Sequence, residues 1–251
     1  MHKIFANSLF IGKKIEILPH CHSTNKIAGQ MLGSGEAPEG TIILTHNQTA
    51  GKGQRGNSWE SEPGKNLTFS LVLNPRFLSV RDQFFLNIIT SLAVAETLER
   101  ELGPWVKVKW PNDIYAKDQK ICGILIENGL RGSTIESSVV GIGLNVNQTS
   151  FETGKATSMS EMTLKEYDLE LLLEELVYSL ERQYIRLRKG ELKQLKREYH
   201  DKLYWMNEVH LFESEEVFSG QITGVDAQGK LVVQIAGQDS SFDIKEIRFI
   251  K

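Results

Sequence analysis

A chain of 251 residues with 40% hydrophobic and 24% charged residues carries enough apolar material for one substantial core and a small satellite. A formal net charge of -3 argues against a nucleic-acid protein, and the Lys and Arg of residues 182–202 alternate with Glu181, Glu191, Glu198 and Asp201, as on a solvated helix surface. Two cysteines, Cys21 and Cys122, make neither a CxxC pair nor a zinc cluster, which fits a reducing cytoplasm, and no signal-peptide core or membrane-length apolar run develops.

In chain order, Ser23 or Thr24 is placed to cap a short helix running to about Leu32, ended by Gly33 and Gly35. Thr41 to Thr45 reads as a strand that delivers Gln48 to a glycine-rich loop, Gly51-Lys52-Gly53-Gln54-Arg55-Gly56-Asn57-Ser58-Trp59. Three glycines allow backbone N–H groups to fold around an anion while Lys52 and Arg55 add donors, so the loop reads as a phosphate clamp. Asn66 to Leu73 alternates as a strand, and Arg81 to Leu102 has helical spacing and stops at Gly103-Pro104. Val106 to Lys109 is a β-branched run closed by Trp110-Pro111-Asn112-Asp113, because proline cannot extend a central strand. A strand, a turn around Asp118-Gln119 and two more strands through Asn147 follow.

Leu169, Leu172, Leu173, Leu176, Val177, Leu180, Tyr184 and Leu187 then mark a long amphipathic helix ending near Gly190, with a second helix expected over Leu192 to Leu203. From Val209 short strands and glycine turns take over. The expected fold is α+β: a mixed β-sheet domain over residues 1–205 with helices on one face, then a small β-barrel over residues 206–251.

The glycine loop and Lys109-Trp110-Pro111-Asn112-Asp113, taken with Ser23-Thr24-Asn25, Gln48 and Gly141 to Asn147, resemble the biotin protein ligases over nearly the whole chain. The resemblance implies a catalytic domain followed by an SH3-like barrel, ATP and Mg²⁺ as cofactors, and activation of biotin to biotinyl-5'-AMP. It further implies transfer to a lysine of a biotin carboxyl carrier protein, in the cytoplasm, with no DNA or membrane partner and a homodimer left open. Some members carry an N-terminal DNA-binding domain; here the motifs begin at residue 23, so a form without it is expected.

On this resemblance, biotin is expected to meet Ser23, Thr24, Asn25, Gln48, Gly51, Lys52, Gly53, Trp59, Lys109 and Gly123. ATP or the adenylate is expected at Lys52, Gln54, Arg55, Gly56, Asn112, Lys120 and Asn145, with Lys109 and Arg55 as the catalytic cations. Ser23 or Thr24 alternatively only caps the helix; Asn112 and Asp113 either form a turn or orient ATP, with Asp113 a candidate for Mg²⁺. Family members usually carry arginine at the second and fourth loop places, where this chain has Lys52 and Gln54, and whether Arg55 takes over the fourth role stays open. A lipoate-type ligase of the same fold and a weakly catalytic biotin or biotinyl-adenylate sensor are the competing readings.

Overall fold

The computed structural model describes Phe5 and residues 8–54, 58–152 and 154–250. Arg55 and Gly56, both expected in the nucleotide site, lie outside the described residues. The first part of the chain builds a seven-stranded mixed sheet in the order β1-β2-β5-β9-β8-β7-β6, from β1 (Ile15–Leu18), β2 (Ile42–Thr45), β5 (Leu67–Leu73), β6 (Val106–Lys109), β7 (Asp113–Ala116), β8 (Gln119–Arg131) and β9 (Thr134–Leu144). Only β1 and β2 run parallel; the other ladders are antiparallel.

Period-two alternation gives this sheet two different faces. Phe69, Ile142, Ile124, Ile114 and Val108 join the main core with helices α2 (Phe84–Leu102), α4 (Leu169–Arg188) and α5 (Leu192–Asp201). On the other face Val72 and Val139 pack with Ala28 of α1 (Thr24–Gly33). The expectation of helices on one face thus holds for α2, α4 and α5, whereas α1 covers part of the opposite face and leaves the rest concave. A five-residue helix, α3 (Met159–Thr163), was not signalled by periodicity because it spans little more than one turn.

The basic stretch 182–202 is paired rather than presented as a patch. Arg186 bonds Glu198 at 2.7 Å and Glu191 at 2.9 Å, and Lys202 bonds Glu99 at 2.5 Å. Hydrogen bonds from Arg186, opposed by burial, hold the Glu198 carboxyl below its ordinary range.

Glu181 has a distinct task. Its buried carboxylate accepts the backbone N–H groups of Leu9 at 2.7 Å, Phe10 at 2.8 Å and Ile11 at 2.9 Å, tying the N-terminal turn to α4. Removing it strands three donors, each costing about 1–3 kcal/mol when buried. Glu181→Ala is therefore expected to lower the unfolding free energy by about 3 kcal/mol, read as a lower urea midpoint at constant slope. A loss below about 1 kcal/mol would show that water replaces the carboxylate there.

Strands β10 (Val209–Glu213), β11 (Val217–Val225), β12 (Leu231–Ile235), β13 (Gln238–Phe242) and β14 (Arg248–Ile250) form an antiparallel sheet in the order β13-β12-β11-β10-β14. Among the described residues β13 and β14 share no ladder, so the expected barrel is a curled sheet rather than a closed one. It is docked on the rest of the chain: Trp110 Nε1 donates to Gly229 O at 2.8 Å, and Val225 N donates to His200 Nε2 at 3.1 Å. No helix among the described residues is long and apolar enough to cross a membrane.

Candidate active site

The concave part of the sheet holds a cavity lined by the N-terminus of α1, the glycine loop and the centre of the sheet. Its floor follows from strand register. Asp113, Gly123, Gly143 and Thr68 form one row across β7, β8, β9 and β5, with Leu125, Gly141 and Ser70 in the next. Glycine at three of these places keeps the floor bare where neighbours approach closely. A Cβ on Gly141 would lie 2.3 Å from Asn25 Oδ1, and one on Gly143 would lie 2.4 Å from Trp59 Cε2.

Ser23, Thr24, Asn25 and Gln48 gather at one end of the cavity. Ser23 is the N-cap of α1, but its side chain makes no capping bond; Gln48 Oε1 instead accepts Thr24 N–H at 2.9 Å. The sequence alternative of a capping hydroxyl is therefore not realised. The capping oxygen comes from a loop 24 residues away.

Trp59 lies against the floor, with its indole over Gly123 and Gly143 and its buried Nε1 without a hydrogen-bond partner. The indole is supported from the loop by a short hairpin of β3 (Gly51–Lys52) and β4 (Ser58–Trp59). Gly51 does not line the cavity. Its backbone passes so close to Trp59 O and Gln48 Nε2 that a Cβ would sit 2.6 and 2.7 Å from them. Lys52, Gly53 and Gln54 do line it.

Opposite the polar end, Lys120 Nζ pairs with Asp113 Oδ1 at 2.7 Å and stands 5.7 Å from the Trp59 ring centroid. Strict alternation in β8 would send Lys120 to the helix-covered face. A register shift pairs Cys122 with Ile114 but Lys120 with Tyr115, so Ile121 and Cys122 are both buried in the core and Lys120 emerges at the cavity. Burial pushes the Cys122 thiol well above its ordinary range, which suits a packing residue rather than a nucleophile.

Besides Gly51, two expected site residues do not line this cavity. Lys109 shares a sheet face with Asp113 and Gly123 but sits on edge strand β6, about 10 Å from Gly123 at two strand spacings. Its ammonium donates to Tyr115 Oη at 3.1 Å and lies over the Tyr115 and Phe249 rings at 4.8 and 4.9 Å. Burial, and secondarily the Asp113 carboxylate, push that tyrosine's pKa up to about 12, so it stays a neutral partner. Asn145 Nδ2 donates to Thr157 O at 3.0 Å, outside the cavity lining, while its buried Oδ1 has no partner. Asn112 lines the cavity, yet its amide is held by the carbonyl of Ile124.

The biotin/lipoate A/B protein ligase family model matches residues 18–145, the segment that builds this cavity. The chain belongs to that family. It is 32% identical over 167 residues to the bifunctional ligase/repressor BirA of Bacillus spizizenii, covering 64% of this chain and 51% of that protein. It is also 26% identical over 250 residues to the biotin--[acetyl-CoA-carboxylase] ligase of Mycobacterium tuberculosis, covering 94% and 90%. The chain thus spans about half the length of the bifunctional Bacillus relatives it matches. Among solved structures, the biotin protein ligase of Aquifex aeolicus in complex with biotin and ATP superposes with a TM-score of 0.79 at 26% identity, over 95% of this chain and all of that one.

Proposed function

We propose that this protein is a biotin protein ligase that activates biotin to biotinyl-5'-AMP with ATP and transfers it to a lysine of a biotin carboxyl carrier protein. The observation that carries this reading is the cavity's polarity. Its lining offers Ser23, Thr24 and Gln48 to a neutral polar head, a glycine floor under Trp59, and the cations Lys52 and Lys120 to anions. A bicyclic urea with a carboxylate tail calls for that set of groups.

In the first half-reaction the biotin carboxylate oxygen bonds to the α-phosphorus of ATP and pyrophosphate leaves. In the second, a carrier lysine attacks the acyl carbon and AMP leaves. Two anions must meet, and Lys120 with Lys52 supplies the compensating charge. Trp59 keeps water from the mixed anhydride. Asp113, the one carboxylate lining the cavity among the described residues, fits Mg²⁺ carried in on phosphate oxygens, and magnesium there would neutralise phosphate charge.

Residues 1–205 form the biotin and ATP unit in this proposal, and residues 206–251 an accessory sheet. A cytoplasmic location agrees with two unpaired cysteines.

Purified protein given labelled biotin, ATP, Mg²⁺ and a carrier domain is expected to label that domain and release AMP. Labelling with lipoate instead would favour the lipoate-type ligase, and stoichiometric biotin binding without turnover would favour a sensor.

A further inference from the structure

Resting on the biotin reading above, we infer that Ser70 is a positioning residue that holds the Thr24 hydroxyl as a hydrogen-bond acceptor toward the cavity. Ser70 lies on β5 within the sheet, fully buried, and is not itself among the residues that line the cavity. Its Oγ is 2.6 Å from Asn25 Oδ1 and 2.7 Å from Thr24 Oγ1. A hydroxyl owns one proton, so only one of these bonds is donated by Ser70.

The orientation of Asn25 decides which. Its Nδ2 faces two oxygens, Glu127 Oε2 at 2.7 Å and Leu125 O at 3.3 Å, which fixes the amide with Oδ1 toward Ser70. An amide oxygen accepts only. Ser70 therefore gives its proton to Asn25, and the 2.7 Å contact to Thr24 requires the Thr24 hydroxyl to give its proton to Ser70. Thr24 then has none left for Gln48 Oε1, at 3.4 Å, and that oxygen is satisfied by Thr24 N–H instead.

The consequence is a fixed pattern at the polar end. Thr24 is left with lone pairs, and Gln48, with its oxygen engaged by Thr24 N–H, is left with its NH₂ as the group to offer a ligand. An acceptor beside a donor is the complement of a urea N–H and C=O. A dithiolane or a plain alkyl head offers neither group and would leave both desolvated. Gly141 is part of the device, because any side chain there would displace Asn25.

A double-mutant cycle on the full chain, read by calorimetric titration with biotin, separates this from packing. Ser70→Ala is expected to weaken biotin about tenfold when Thr24 is present, the scale of one net hydrogen bond, and less than twofold in the Thr24→Val background. Equal losses in both backgrounds would mean that Ser70 acts by packing alone and would overturn the inference, as would unchanged affinity in Ser70→Ala. If the alanine variant does not fold, Ser70→Cys goes through the same cycle with the volume nearly kept. Wild-type protein that binds no biotin overturns the functional reading and this inference together; wild-type binding with a flat cycle overturns the inference alone.

Discussion

Lys120→Ala is expected to slow biotinyl-adenylate formation by about a hundredfold or more, the scale on which a preorganised charge-stabilising donor acts. The effect has two parts. The ammonium at the anion end disappears, and Asp113, which it holds at 2.7 Å, is left as an unbalanced carboxylate facing the incoming biotin carboxylate and phosphates. Lys120→Arg keeps the charge but replaces a compact ammonium with a planar fork, and should recover part of the rate. Lys109→Ala, by contrast, removes a cation held between Tyr115 and Phe249 at the sheet edge, and a loss below about tenfold is expected. Pyrophosphate exchange dependent on biotin measures all three. A Lys120→Ala enzyme within a few-fold of wild type, or a Lys109→Ala enzyme a hundredfold down, would return the leading role to Lys109.

The placement of these two lysines, one lining the cavity and one at the sheet edge, shows what a one-dimensional reading can and cannot carry. Lys109 stands in the more specific motif and ends a clean strand, so the sequence favours it. What the strand pattern does not reveal is that β6 is an edge covered by Phe249, more than a hundred residues later in the chain. Lys120 was legible as a cation near Gly123, but its access to the cavity depends on a register shift in β8 that breaks the alternation Lys120-Ile121-Cys122-Gly123. Ser70, a serine in an alternating strand, reads in the sequence as a filler on a half-polar face. Its significance appears only when Thr24 and Asn25, 46 and 45 residues away, are folded onto it. The long helices and central strands were legible because their periods are long and regular; α3 and the open edge of the C-terminal sheet depend on tertiary contacts and left no period to read.

Gly143→Ala is expected to raise the KM for biotin about tenfold to a hundredfold, with the fold retained. The added methyl would lie 2.4 Å from Trp59 Cε2 and 2.6 Å from Nε1, inside any tolerable contact. The backbone has little freedom to yield, because Gly143 is paired on both sides, with Thr68 of β5 and Gly123 of β8, in the middle of the sheet. The indole has to move instead, and its Nε1 makes no hydrogen bond that would resist. Whether the ligand head slides beneath the indole or takes its place, the floor it needs is one methyl higher, and overpacking of this kind costs about 1–3 kcal/mol. Gly29→Ala is the matched control: that glycine lies within α1 with nothing within 4 Å of a new Cβ, so alanine there should leave KM unchanged and stabilise the helix by about 0.5–1 kcal/mol. Steady-state transfer to a carrier domain at saturating ATP gives the KM, and tryptophan emission reports the displaced indole. A folded Gly143→Ala protein with wild-type KM would place the ligand head away from this floor and would end the case for Trp59 as its cover.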